Sequence, residues 1–347
     1  MANVGSDIEA VPQRAAAGAL LTRTGIHRVL VCRHVHSLGN ALLLTPLIAE
    51  LGAVFPGAEV EILCSCPAGD ALFGTLPNVR GVRLLPRHLA THLPATLGTL
   101  RAMRQQRYDL VIDPDPRSRS GRRLARMARA RYSLGFSAAG KSGTLTHLVA
   151  RPADVRHVAM LPVYLLRRAL GEDPAARPCP QPGIALGAPE LERGRATLAR
   201  LLARAPAAPG PCIGIFANAT GAKLLPQSWW QAFIAALRTH VPGCRIVEIL
   251  PAFGRSLLDE RFPCFYSSDL RKLASLLASL DAYVSSDCGV MHLAWASGVP
   301  TVGLFNSMDP AEWGPFGPHM GALPLADAAP ETLATRVAAL FGRRDAE

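Results

Sequence analysis

The sequence predicts an α/β protein built from two doubly wound, Rossmann-like parallel sheets. Three observations lead there. The chain has 347 residues, about twice an ordinary domain. Short apolar runs alternate with helix-length amphipathic ones in both halves. Each half also opens on the same unit of apolar strand, loop, helix and strand, as from Arg28 to Cys64 and from Cys212 to Leu250. We divide the chain into a disordered extension (1–26), an N-terminal Rossmann-like domain (27–173), a linker region (174–210), a second domain (211–325) and a C-terminal helix (326–347).

Arg28 to Cys32 reads as a strand, Arg33 to Asn40 as a loop, and Ala41 to Phe55 as one helix with Leu43, Leu44, Leu47 and Leu51 as its apolar stripe. Glu59 to Cys64 is the next strand. The loop lacks Gly-x-Gly-x-x-Gly, which disfavours a dehydrogenase-type dinucleotide site. Tyr108 to Asp113 is a strand with Asp113 and Asp115 at its carboxyl end, where ligands bind in such sheets. Those carboxylates read either as turn and cap formers or as a base and acceptor contact. His34 and His36 lie in the first loop and read as loop polar residues. Arg117 to Arg131 carries seven arginines on an expected helix with Leu124 and Met127 inward. It reads as a solvated face or as a contact for a phosphorylated lipid or its sugar core. His157 to Leu170 is a helix ended by Gly171, and Pro174, Pro178, Pro180 and Pro182 mark the linker.

Leu191 to Arg204 is a helix and Cys212 to Ala217 a strand. Thr220 and Lys223 follow in a short loop before a helix from Ser228 to Leu237. A hydroxyl and an ammonium there suit phosphate oxygens, although the spacing is not that of a Walker loop. Arg245 to Leu250 is a strand. Leu270 to Leu280 is a helix capped from Ser267, Ser268 or Asp269. The most informative stretch follows, from Leu280 to Pro318. Asp281 to Ser285 is a strand, Ser286, Asp287 and Gly289 a break, Val290 to Ser297 a helix stopped by Gly298 and Pro300, and Thr301 to Phe305 a strand. This unit aims a helix N-terminus, with its unpaired N–H groups and partial positive charge, at the carboxyl edge of the sheet, which suits a phosphate. Gly289 permits close backbone approach, Asp287 can cap the helix, and His292 can point at the same ligand. The alternative is a core histidine beside a plain cap. The stretch suggests a nucleotide or nucleotide-sugar site. Cys288 and His292 also stand at the spacing of a thiol hydrolase pair, without a visible orienting partner. Pro330 to Phe341 reads as a terminal helix packed back across the first domain.

Composition narrows the function. Apolar residues make up 49% of the chain, enough for two cores, yet no run approaches the ~20 uncharged apolar residues of a membrane span. Residues 1–26 lack the basic start and apolar core of a secretory signal, so a cytoplasmic location is expected. The eight cysteines lack zinc-ligand spacing and read as free buried thiols, with no metal site. The net charge is +11, carried almost entirely by arginine, since Lys141, Lys223 and Lys272 are the only lysines. That reads as compositional bias or as a phosphate-bearing partner such as an anionic lipid surface. No nucleic-acid motif accompanies the charge.

The stretch SDCGVMHLAWASGVPTVGLF resembles the donor-binding signature of the glycosyltransferase family 9 heptosyltransferases. In that family Ser/Asn-Asp-Thr-Gly-Pro-Met-His-Leu-Ala leads into a Gly-x-Pro-Thr strand, an Asp-Pro and a Trp-Gly-Pro. Asp287, Gly289, Met291, His292, Leu293, Ala294, Gly298, Pro300, Thr301, Asp309, Pro310, Trp313, Gly314 and Pro315 match; Cys288 replaces the usual Thr and Val290 the usual Pro. Gly39, Leu43 to Leu47, Phe55 and Pro56 resemble the family's N-terminal pattern. Thr220, Lys223, Pro226 and Trp230 resemble its phosphate-contacting segment, with Leu225 where Trp is commoner. The resemblance implies a GT-B architecture, with the two domains facing a cleft. It implies an ADP-sugar donor, such as ADP-heptose, held by Thr220, Lys223, Asp287, Cys288, Gly289 and His292. It implies an anionic glycolipid acceptor such as lipopolysaccharide inner core, and inverting transfer without metal or cofactor. It places the protein at the inner face of the inner membrane, in peripheral contact with it. One departure stands out. The family's general base is an Asp where this chain has Asn40, and an amide has no useful basicity near neutral pH. Asn40 can orient the acceptor hydroxyl, and Asp113 or Asp115 would then be the substitute base. The alternative is a homologue that binds a sugar nucleotide without turning it over.

Overall fold

The computed structural model describes residues 20–89, 91–137, 145–204, 206, 208–326 and 328–342. In the first half, β1 (Arg28–Arg33), β2 (Glu59–Cys64), β3 (Val79–Leu84), β4 (Tyr108–Asp113), β5 (Ala130–Ser137) and β6 (His147–Ala150) form one parallel sheet in the order β3-β2-β1-β4-β5-β6. Helices α1 (Leu38–Leu42), α2 (Thr45–Val54), α3 (Gly69–Phe73), α4 (Leu93–Gln105) and α5 (Arg119–Met127) lie between its strands in the chain. β1 is central, and from Val29 onward every residue is buried, as a strand covered on both faces requires. Its alternation sorts the core: Val29 and Val31 join the apolar cluster containing α2, while Leu30 and Cys32 join Met103 of α4 and Leu124 of α5.

Two expectations for this half are corrected. The apolar stretch from Ala41 to Phe55 is two helices, not one. Proline cannot donate into a helix interior, and Pro46 instead occupies the first turn of a new helix, where its missing N–H is not needed. Thr45 seals the joint, its hydroxyl donating to the Leu42 carbonyl at 2.7 Å. Of the expected extension, residues 1–19 lie outside the described residues. Residues 20–26 are not disordered: Leu21 and Ile26 are buried, and the Leu21 amide donates to the Ala169 carbonyl.

Helices α6 (Met160–Ala169) and α7 (Ala188–Leu202) flank the proline-rich segment. Arg167 of α6, 1% exposed, staples that segment in place. Its guanidinium grips the Glu50 carboxylate with two bonds, of 2.8 and 2.9 Å, and donates to the carbonyls of Pro174, Arg177 and Pro178. All five donors of the fork are used, which is what makes a buried arginine tolerable. Burial alone would raise the Glu50 carboxyl, but the hydrogen bonds of Arg167 and Arg177 prevail and hold it below its ordinary value.

The second half repeats the design. β7 (Cys212–Phe216), β8 (Arg245–Ile249), β9 (Cys264–Phe265), β10 (Ala282–Ser286), β11 (Thr301–Phe305) and β12 (Gly321–Pro324) form a parallel sheet ordered β12-β11-β10-β7-β8-β9. Counted from its own first strand, each sheet reads 3-2-1-4-5-6, the doubly wound order expected. Its helices are α8 (Gln227–His240), α9 (Leu270–Leu277), α10 (Gly289–Ala296), the short α11 (Pro310–Trp313) and α12 (Pro330–Gly342). Asp269 caps α9, accepting from the amides of Arg271 and Lys272. The terminal helix α12 does not pack across the first domain. It lies on α8, with Leu333, Ala334 and Val337 fully buried in the core around Trp230, Phe233 and Leu237. Burying each such Leu or Val contributes roughly 1.5–3 kcal/mol, and α8 offers that surface next to β12.

Candidate functional site

In a doubly wound sheet the crevice lies outside the carboxyl ends of strands 1 and 4, where the winding reverses. In the second half those strands are β7 and β10. The residues after β7 (Asn218, Ala219, Thr220, Lys223) and after β10 (Asp287, Cys288, Gly289, Val290, His292) line one cavity of about 430 Å³. Ser37, Leu38, Gly39 and Asn40, which follow β1 of the first sheet, line its other wall. The cavity therefore sits between the two halves. Asn40 and all six expected donor-site residues meet there.

Lys223 ends a 3₁₀ turn over Gly221–Lys223, and its ammonium lies 2.5 Å from Asp287 Oδ2. Asp287 is not the cap of α10. Cys288 occupies that position in an extended conformation, so Asp287 turns to Lys223 instead. The first turn of α10 thus presents backbone N–H groups beside a lysine, an arrangement suited to phosphate oxygens.

His292 lies one turn into α10 and is 4% exposed. Its Nε2 is 4.0 Å from Asp287 Oδ1, and Nδ1 is buried with no hydrogen-bond partner among the described residues. Burial first, then the nearby His157 and Lys223, lower its pKa to about 3. The ring is neutral at physiological pH and acts as a dipole rather than a charge. Gly39 explains how α1 comes so close, because a Cβ there would stand 2.5 Å from His292 Cδ2. Behind His292, Trp295 donates to Gln181 and packs edge-on against His157 and Phe316. His157 donates from Nε2 to the Gly314 carbonyl while Nδ1 accepts from the Ala159 amide. That wall ties the halves together, as do an Arg156–Asp309 ion pair, Arg117–Glu312 at 3.7 Å, and Arg271 donating to Ala71 and Thr75 of the first half.

Asp113 and Asp115 do not line the cavity. Asp113 is fully buried and paired with Arg122 at 3.1 Å, and Asp115 pairs with Arg33 at 2.6 Å. Neither caps the next helix; Ser118 does, accepting from the Gly121 amide. The arginine run is also more divided than expected. Arg122 is buried against Asp113, while Met127, expected inward, is 36% exposed. His34 approaches the Pro86 carbonyl at 3.4 Å and His36 is exposed, both outside the cavity wall. Asn40 donates to Ser37 Oγ at 2.7 Å, leaving its carbonyl oxygen able to accept from a hydroxyl.

Cys288 does not form an activated thiol. Burial pushes it up, against the Met291 and Val290 amides and the Ser285 hydroxyl, and His292 stays neutral beside it. All eight cysteines are free. Among the described residues no group of three His, Cys, Asp or Glu side chains is placed to hold a metal ion, and no helix is long and apolar enough to cross a membrane. Among the cavity residues that sequence reasoning missed are Ser37, Leu38, Phe216, Asn218, Ala219, Met308 and Trp313. Of these, Trp313 carried a signal, as part of the Trp-Gly-Pro match.

Comparison with known proteins bears on this geometry. Residues 267–337 match the model of glycosyltransferase family 9 (heptosyltransferase). No curated protein matches significantly by sequence. Among solved structures, a family 9 glycosyl transferase from Veillonella parvula DSM 2008 is 17% identical, over 91% of this chain and 97% of its own, with a TM-score of 0.73. E. coli heptosyltransferase WaaC, solved with ADP and with ADP-2-deoxy-2-fluoro heptose, is 19% identical over 92% and 99%, with TM-scores of 0.68 and 0.67. E. coli ADP-heptose lps heptosyltransferase II is 17% identical over 92% and 99%, with a TM-score of 0.67. At these identities the structural likeness is one of fold. The fold is GT-B, two Rossmann-like domains around a cleft, and the resemblance to glycosyltransferase family 9 read from the sequence holds, its signature lying within the matched segment.

Proposed function

We propose that the chain is an inverting, metal-independent glycosyltransferase. It would move heptose, or a related sugar, from an ADP-sugar to lipopolysaccharide core or a similar anionic glycolipid. One observation carries this reading: Lys223 and the N-terminus of α10 line the same interdomain cavity, opposite Asn40. WaaC, which shares the fold, was solved with ADP and a fluorinated ADP-heptose. A protein at the cytoplasmic face of the inner membrane, in peripheral contact with it, fits such an acceptor.

The chemistry follows from the charges. The acceptor oxygen attacks the anomeric carbon as the bond to the diphosphate breaks, and negative charge grows on the leaving phosphate. The N–H groups from Gly289 onward, Lys223 and Thr220 would stabilise that charge in fixed positions. Asp287 holds Lys223, and neutral His292 offers a hydrogen bond without competing for the anion. The acceptor proton needs a base that Asn40 cannot be. Asp113 and Asp115, engaged by arginines and outside the cavity, are poor substitutes.

Asn40 therefore favours a second reading, a homologue that binds the sugar nucleotide without turnover. A mass-spectrometric screen of nucleotide sugars with truncated lipopolysaccharide separates the two. Sugar transfer from an ADP-sugar supports the enzyme, binding without transfer supports the second reading, and no ADP-sugar binding defeats both. The Asn40→Asp variant is expected to raise turnover; an unchanged rate would show that another group already takes the proton.

A further inference from the structure

Outside the cavity, one surface of the first half is built unlike the rest. Between residues 71 and 153 the chain holds 14 arginines and one lysine but only three carboxylates, so this region is where the positive charge concentrates. Those three carboxylates are all spoken for. Asp109 accepts from the His27 and Arg28 amides, and Asp113 and Asp115 pair with arginines at the strand ends. Helices α4 and α5 contain no acidic residue and cover the same face of the sheet, since Met103 of one and Leu124 and Ala125 of the other share a core cluster.

Their outer surface is apolar as well as basic. Leu93 and Leu97, one turn apart on α4, are 56% and 62% exposed, and Met127 at the end of α5 is 36% exposed. A shallow groove of about 410 Å³ joins the helices, lined by Leu97, Leu100, Arg101, Arg104, Met127 and Arg129. Exposed leucines sharing a groove and two helices with exposed arginines, with no carboxylate on either helix, are the composition of an interfacial helix on an anionic bilayer. A protein partner would need complementary carboxylates and a shaped apolar surface; a bilayer supplies negative charge and hydrocarbon without shape.

We propose that the α4–α5 face docks on an anionic phospholipid bilayer, with Leu93, Leu97 and Met127 entering the headgroup boundary and Arg101, Arg104, Arg126 and Arg129 engaging lipid phosphates. This extends the glycolipid reading above by naming the surface that meets the membrane. The test is co-sedimentation of the full chain with phosphatidylcholine vesicles, with and without phosphatidylglycerol, alongside ADP binding by calorimetry. The parent chain binds only the anionic vesicles, and added salt weakens the binding. Arg101→Glu with Arg104→Glu lowers the vesicle partition at least about 20-fold, and Leu93→Asp with Leu97→Asp lowers it about tenfold. ADP binding stays unchanged in both variants, showing that they fold. Equal binding to neutral vesicles, variants that bind as the parent does, or a lipid-free dimer abolished by Leu97→Asp would each overturn the proposal. Vesicle binding by a protein that ignores ADP-sugars would leave the docking face standing and remove the donor reading instead.

Discussion

The two sheets share one strand order, yet their switch points are used differently. At the first, between β1 and β4, the crevice is filled by the protein's own charges: Arg122 on Asp113, with side chains 3% and 0% exposed, and Arg33 on Asp115, 8% and 19% exposed. At the second, between β7 and β10, the Lys223–Asp287 pair borders an open cavity, and Lys223 is 26% exposed. The same topology can therefore hold ion pairs as structure or as a site. What separates the cases is whether a long arginine from the following helix folds back into the crevice. After β4 Arg122 does so. After β10 the helix begins with Gly289 and Val290, which leave the space empty.

The contrast is broken most severely at Arg122. Replacing it by Met leaves a fully buried carboxylate without this counter-charge, expected to cost about 3–5 kcal/mol in urea unfolding. A loss under about 1 kcal/mol would deny that this pair is structural. The opposite pattern is expected at Lys223. Lys223→Met should weaken ADP binding about 10- to 100-fold by calorimetry, through loss of charge-assisted bonds, while water entering the cavity keeps the stability loss small. Unchanged affinity would remove the lysine from the donor site. Gly39→Ala tests the join between the halves. Its methyl group would collide with His292, costing about 1–2 kcal/mol and weakening the hold of α1 on α10. A variant as stable as the parent would contradict that close contact.

The smallest expected effect is on pH dependence. His292 titrates near 3 in the folded protein and near 6.5 when unfolded, so below pH 6.5 the unfolded state binds the extra proton. Stability due to this group is present above pH 6.5 and is lost as pH falls toward 3, by about 1 kcal/mol between pH 6.5 and 5.5. His157, lowered by burial, acts in the same direction. Comparing unfolding of the parent and His292→Gln across this range isolates the contribution. Parallel curves would show that His292 does not carry it.

The donor side was legible in the sequence because its signals are local. A strand, a glycine break and a short helix occur within 25 residues, and Lys223 stands out because lysine is scarce. Strands β2, β4 and β11 begin and end where their apolar runs do. What was illegible depends on contacts between distant segments. Nothing in RSRSGRRLARMARAR marks Arg122 as the arginine that turns inward, since its partner Asp113 lies at a strand end whose surroundings only the fold supplies. The same ignorance made Asp113 and Asp115 look available as bases. The apolar stripe from Ala41 to Phe55 hid a break because Pro46 at a helix start and in a helix interior read alike until the Thr45 bond is seen. The resting place of α12 depended on the surface offered by α8, far away in the chain.

The most direct test is a crystal structure of the protein with ADP. The diphosphate is expected within hydrogen-bond distance of the amides opening α10, at Gly289 and Val290, and of the Lys223 ammonium. ADP bound in the first sheet's crevice, or anywhere away from α10 and Lys223, would contradict the account.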